Sequence, residues 1–225
     1  MITFENVDTA TAAAQIVSVN IPPDTNAFDL STFSFGAFRI GDEIYNVPPQ
    51  RSEFVIDIDF GKKKSYLVRF SAKLNKANGK IHGKFVTLYT LSIDLPLLKG
   101  FLPLNVSAPE GEGSISFAVS PKPTITDGYK IQQQASIVFD NNAPIFTNIW
   151  ENTIDRNAAT SSVSAISNGT NIKLKFNGTD AHSRIDFYYL YVSENGGPWK
   201  VIIGATENEL TLVGEQGKRY DFYCT

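Results

Sequence analysis

Apolar and polar residues alternate along most of this chain in short runs, each ended by glycine, proline, asparagine or aspartate. A period of two is the signature of a strand with one buried face. Residues 16–21 alternate in this way and stop at Pro22-Pro23, and residues 33–38 repeat the pattern. Residues 53–60 place Phe54, Ile56, Ile58 and Phe60 on one face and Val55, Asp57 and Asp59 on the other. Residues 66–74 follow across a turn at 61–64, which predicts a hairpin, and Asn78-Gly79 predicts a second one leading into residues 80–90. Residues 113–120 and 129–139 read as further strands. Residues 95–109 are apolar but contain Pro96, Pro103 and Pro109, which central strands do not accept, so they predict a long loop lying over the fold. The alanines within residues 9–15 hint at a helix, in a stretch short enough to be a turn or strand edge.

The pattern breaks at residues 156–162, which are small, polar and aperiodic, as a linker is. Strands resume at 171–176, 185–193, 199–203, 210–213 and 219–224, with Asn195-Gly196-Gly197-Pro198 as a turn between two of them. Many short strands between turn residues indicate sandwiches. The expected architecture is all-β, with two β-sandwich modules in tandem: residues 1–155, a linker at 156–162, and residues 163–225. Sixteen Phe and nine Tyr against a single Met agree, because aromatic side chains suit pleated, half-buried surfaces.

Charge removes some functions. The net charge of −3 lacks the basic balance that phosphate neutralisation requires, which argues against a nucleic-acid partner. The run Lys62-Lys63-Lys64 reads as a solvated hairpin turn. Cys224 is alone, so no internal disulfide forms. No apolar run approaches the ~20 residues of a transmembrane helix.

Several stretches carry a resemblance. Gly111-Glu112-Gly113-Ser114-Ile115-Ser116-Phe117 is followed by Ile131-Gln132-Gln133-Gln134-Ala135-Ser136-Ile137-Val138-Phe139-Asp140, then by Asn142, Pro144-Ile145, Thr147-Asn148 and Asn152-Thr153-Ile154-Asp155. With the opening Phe4-Glu5-Asn6 and Thr9-Ala10-Thr11-Ala12, residues 2–155 resemble an uncharacterised repeat module of large secreted or surface proteins of bacteria. Gly178-Thr179-Asp180, Tyr191-Val192-Ser193-Glu194-Asn195-Gly196-Gly197-Pro198 and Gly217-Lys218-Arg219-Tyr220-Asp221-Phe222-Tyr223 make the second part similar to a fibronectin type III-like or Ig-like module. Such modules often carry an acidic, glycine-containing turn after the first of these motifs. Here it reads Ala181-His182-Ser183-Arg184, which argues against a cation there. Against that family pattern, residues 219–224 correspond to the penultimate strand, so the expectation is a module lacking its last strand.

Candidate chemistry is sparse. A hydrolytic triad needs a nucleophile, a base and an orienting acid, whereas His82 and His182 fall in different modules and Cys224 sits in a terminal strand. Asp57 and Asp59 share a strand face, as glycosidase carboxylates could, but a solvated face gives the same pattern. No cofactor is implied. Calcium, held by the oxygen-rich Asp140 and Asn142, is the one metal reading that the residue types allow. Phe187, Tyr189 and Tyr191 fall on the face opposite Tyr188, Leu190 and Val192, and with Trp199 they form a candidate ligand strip. Trp150, beside the linker, is the candidate inter-module contact. The expected function is a non-catalytic structural or adhesive module pair, extracellular or on the cell surface. Its partners would be neighbouring modules, and a glycan or surface protein. The alternative is a carbohydrate-binding module using Tyr189, Tyr191 and Trp199.

Overall fold

The computed structural model describes residues 1–60, 66–89 and 99–225. The turn at 61–64 with its three lysines, Thr90, and residues 95–98 of the proline-containing segment lie outside the described residues. The protein is all-β: among the described residues every regular element is a strand, the strands pair antiparallel, and no helix is long and apolar enough to cross a membrane. The chain divides into two compact units, one of Met1–Ile125 with Lys130–Asn152, the other of Thr126–Tyr129 with Thr153–Thr225.

The first unit contains β1 (Ile2–Glu5), β2 (Ile16–Ile21), β3 (Phe28–Ile40), β4 (Glu43–Tyr45), β5 (Glu53–Asp59) and β6 (Tyr66–Leu74). It continues with β7 (Ile81–Tyr89), β8 (Glu112–Pro121), β9 (Lys130–Gln133), β10 (Ser136–Phe139), β11 (Ile145–Phe146) and β12 (Trp150–Thr153). A four-stranded sheet has the order β1-β8-β3-β4, and a six-stranded sheet the order β11-β10-β2-β7-β6-β5, while β12 and β9 form a ribbon. The alternation in the sequence dictates which faces meet. Val17, Val19 and Ile21 of β2, and Val68, Phe70, Ala72 and Leu74 of β6, all point inward and are buried. Phe33, Phe35, Phe38 and Ile40 of β3 face them from the other sheet. The Phe38 and Phe70 rings stack across the interface with centroids 4.0 Å apart. The turn at 75–80 closes the β6–β7 hairpin as expected, with the Asn75 amide donating to Lys80 O at 2.8 Å.

Two expectations change, and the open reading of residues 9–15 resolves to its turn and strand-edge form. The alanine-bearing residues 9–15 form turns and bends, and Ala14 makes an isolated bridge with Leu102. The segment around residue 100 does not merely lie over the sandwich: Phe101 and Leu102 are fully buried, and the Phe101 ring stacks on Phe85 at 5.6 Å. Gly100 makes this insertion possible, since a Cβ there would sit 2.1 Å from the Ala14 carbonyl oxygen. Residues 129–139 are two strands rather than one. The Ala135 amide donates to Thr147 Oγ1 at 3.0 Å and the Gln134 carboxamide to Thr147 O at 2.9 Å. These bonds hold the step by which the chain leaves the ribbon and enters the six-stranded sheet.

The second unit contains β13 (Thr160–Asn168), β14 (Asn171–Thr179), β15 (Tyr188–Glu194), β16 (Lys200–Ala205), β17 (Glu209–Val213) and β18 (Tyr220–Cys224). Its sheets have the orders β13-β14-β17 and β16-β15-β18. Leu174 and Phe176 of β14 pack with Tyr188 and Leu190 of β15 and with Cys224 of β18 in one small core. Strand β13 begins inside the stretch read as linker. It pairs with β14 at nine successive positions but is exposed along nearly its whole length, so it shows no apolar alternation. β18 stands at the edge of its sheet, and the Ser161 hydroxyl donates to the Cys224 carbonyl at 2.6 Å.

Candidate aromatic contact surface

The most chemically distinctive surface of the second unit lies on the outer face of β16-β15-β18. Strand alternation sends Tyr188 and Leu190 inward, where both are buried, and turns Tyr189 and Tyr191 outward. Phe187, just before β15, is 50% exposed and Tyr189 46%, and their rings meet edge to face at 5.1 Å. Register places Tyr191 beside Val201 of β16 on one side and Tyr223 of β18 on the other. The turn after β15 has left-handed φ at both Asn195 and Gly196, and the Gly197 amide donates to Glu194 O at 2.9 Å. That geometry suits the twist of paired strands, and it returns the chain so that Trp199 reaches the same face. Trp199 meets Tyr223 at 4.7 Å and 78°, while Tyr191 and Tyr223 lie face to face at 4.4 Å and 3°.

The structure therefore brings Tyr189, Tyr191 and Trp199 onto one surface and adds Tyr223 and Val201. Sequence reasoning missed these last two because their membership depends on cross-strand register rather than local order. The ring geometry also decides what the surface offers. The stacked pair covers one face of Tyr191, so the strip is a self-packed aromatic mound rather than a row of open platforms.

The other candidates have structural partners. Asp57 is held by Arg69 across the β5–β6 pair through two bonds of 2.7 and 2.8 Å, and the Arg69 hydrogen bond lowers the Asp57 pKa below the usual carboxylate range. His82 Nδ1 lies 2.7 Å from Asn20 Oδ1, a contact that requires the proton on Nδ1. Burial, and then the charge of Lys84, push the His82 pKa down. In the second unit His182 Nε2 lies 2.9 Å from Asp127 Oδ2. The altered turn that holds it is a local cap: Asp180 accepts the amides of His182 and Ser183, each at 2.9 Å, and these two bonds lower its pKa. Cys224 is buried in the second core. Trp150 opens β12 and is 63% exposed, near exposed Phe146 and Ile149.

Asp140, considered above as a calcium ligand, has backbone partners within the first unit. It adopts a left-handed φ of 52°, and its Oδ1 accepts the backbone amides of Gln15 and Ile16 at 2.9 and 2.8 Å. It is a clasp at the start of β2. Asn142 is exposed, and its amide closes the turn on Phe139 O at 2.9 Å. Among the described residues no group of three or more His, Cys, Asp or Glu is placed to hold a metal ion. Asp140→Ala should leave two amides without their acceptor and cost about 1–3 kcal/mol. Thermal melts in the presence and absence of calcium check both roles: the expected result is a lowered midpoint for the variant and no calcium dependence for either protein.

The fold defines an all-β sandwich protein. Residues 80–153, less than half of the chain, match a family model described as a domain of unknown function, DUF7619. The match runs from the start of β7 through β12 and so takes in the ribbon and the Asp140 clasp. No curated protein and no solved structure matches the chain.

Proposed function

We propose that this chain is a non-catalytic adhesive module pair of a secreted or surface-displayed bacterial multidomain protein, and that the aromatic face of the second unit is its contact surface. The observation that carries this reading is the cluster of Phe187, Tyr189, Tyr191, Trp199, Val201 and Tyr223 on one sheet face, four of them at least 46% exposed. Exposed apolar groups gathered in one patch mark interaction sites, whereas scattered ones do not. Tyr and Trp supply large contact area at low entropic cost. The resemblance of residues 2–155 to a repeat module of bacterial surface proteins supports the setting. The order β13-β14-β17 against β16-β15-β18 supports a fibronectin type III-like or Ig-like second module. That the candidate catalytic side chains Asp57, His82 and His182 are bonded to structural partners supports a non-enzymatic role.

The mutual stacking of Tyr191 and Tyr223 favours a protein partner over a sugar at this face. Beads coated with the chain should attach to an immobilised panel of extracellular matrix and cell-surface proteins. Trp199→Ala with Tyr223→Ala should reduce attachment at least tenfold while the melting midpoint stays within a few degrees. Attachment unchanged by the double substitution would sink the reading. Binding confined to a glycan array, and lost with Tyr189→Ala, would favour the carbohydrate-binding alternative.

A further inference from the structure

On the outer face of the six-stranded sheet, pairing sets Asn20 of β2, His82 of β7 and Lys73 of β6 side by side on three adjacent strands. The 75–80 turn adds Asn75, Asn78 and Lys80, and all six residues are exposed and line one cavity of about 480 Å³. The carbonyl oxygen of each carboxamide is already used within the protein. Asn75 Oδ1 accepts the Ala77 amide at 3.0 Å, Asn78 Oδ1 the Lys80 amide at 3.1 Å, and Asn20 Oδ1 the Nδ1–H of His82 at 2.7 Å. These bonds fix which end of each amide is nitrogen, and they leave three NH2 groups without a protein partner among the described residues. Lys73 reaches Glu53 at 3.1 Å. Lys80 has no ion pair among the described residues, and no Asp or Glu among them lines the cavity. The cavity is therefore rich in donors and positive, in a chain whose net charge is −3. One acceptor stands among them: with its proton on Nδ1, His82 presents a lone pair at Nε2.

We propose that this cavity binds a sugar acid, its carboxylate held by Lys80 and the carboxamide N–H groups and one of its hydroxyls donating to His82 Nε2. The donor and acceptor inventory selects this chemistry. An ionised carboxylate only accepts, which matches the NH2 groups, and its bond to an ammonium is charge-assisted. A carboxylate alone would leave the Nε2 lone pair unmatched, whereas a hydroxyl supplies the proton that it needs. A neutral sugar would leave the ammonium without a counter-charge. The volume lies within the range of small-molecule sites. The site belongs to the first unit and uses none of the aromatic residues of β15, β16 and β18, so it does not rest on the adhesive reading.

The test is isothermal titration calorimetry of the full chain with glucuronate and galacturonate. The expected result is saturable binding of at least one of them. Glucose, which lacks the charge, and acetate, which lacks the hydroxyls, should each bind at least about tenfold more weakly. In 15N-labelled protein the side-chain amide signals of Asn20, Asn75 and Asn78 should shift along the same saturation curve. Lys80→Gln should weaken the binding about tenfold, the loss expected for one charge-assisted hydrogen bond, at an unchanged melting midpoint. Lys84→Gln removes a positive charge of β7 from outside the cavity lining and should change the affinity less than about twofold. Three results overturn the proposal. One is no saturable binding of either sugar acid. The second is glucose or acetate binding as tightly as the sugar acids. The third is an affinity unchanged by Lys80→Gln, or weakened equally by Lys80→Gln and Lys84→Gln, which would mean diffuse attraction to a basic face.

Discussion

Phe85→Ala will destabilise the first unit by about 3–5 kcal/mol, the range for removing a fully buried aromatic side chain. Phe85 is completely buried at the middle of β7. Its ring meets Phe70 of the adjacent strand at 4.7 Å, Phe38 of the facing sheet at 5.9 Å and Phe4 of β1 at 5.5 Å. The Phe101 ring stacks on it at 5.6 Å. These four neighbours come from separate segments, so one strand cannot move into the void without disturbing the others, and the cavity persists. The check is a chemical denaturation curve: the midpoint should fall with the slope unchanged, as for a stability change without loss of cooperativity. Because Phe85 anchors Phe101, limited proteolysis should also cut the variant faster between residues 99 and 111. A loss below about 1 kcal/mol would mean that the inserted segment closes the gap, and that Phe101 is less firmly held than its burial implies.

How well the sequence disclosed this arrangement depended on whether a strand has one face in a core. β6 alternates buried and accessible positions from Tyr66 to Leu74, and its bounds were legible to the residue. β5 and β7 were nearly so. β13 was invisible because its nine residues are held by backbone pairing with β14 and not by a buried side-chain stripe. The break between β9 and β10 was hidden for the opposite reason. Ile131 and Ile137 are both buried, so the apolar rhythm runs through the break, and the bonds to Thr147 that cause it come from twelve or more residues away. The insertion of Phe101 was masked by the surrounding prolines, which correctly excluded a strand but say nothing of depth. At the candidate sites, alternation identified the outward Tyr189 and Tyr191, whereas Tyr223 required the register of β18.

Leu190→Ala should cost about 2–5 kcal/mol and should be felt in the second unit alone. Leu190 is fully buried at the centre of β15, in a core of five buried residues among those described, with Leu174, Phe176, Tyr188 and Cys224. The core of the first unit holds twenty-three among the described residues. Small domains have little stability in reserve, on the order of 5 kcal/mol at the lower end, so the same truncation removes a larger share here. The expected thermal profile has two transitions, with the one belonging to the second unit moved down or lost and the other unmoved. Equal movement of both would show that the units unfold as one cooperative body. The variant also separates folding from contact chemistry. Tyr189 and Tyr191 flank Leu190 on the outward face of the same strand, so loss of β15 should abolish attachment through the aromatic surface together with the near-ultraviolet signal of its stacked rings. Tyr223→Ala, which trims a ring already 38% exposed, should reduce attachment with a stability change within about 1 kcal/mol. If the two variants lost attachment only in proportion to the fraction unfolded, the aromatic cluster would be a device for holding β15 to β18. If Tyr223→Ala lost it while remaining folded, the exposed rings themselves make the contact.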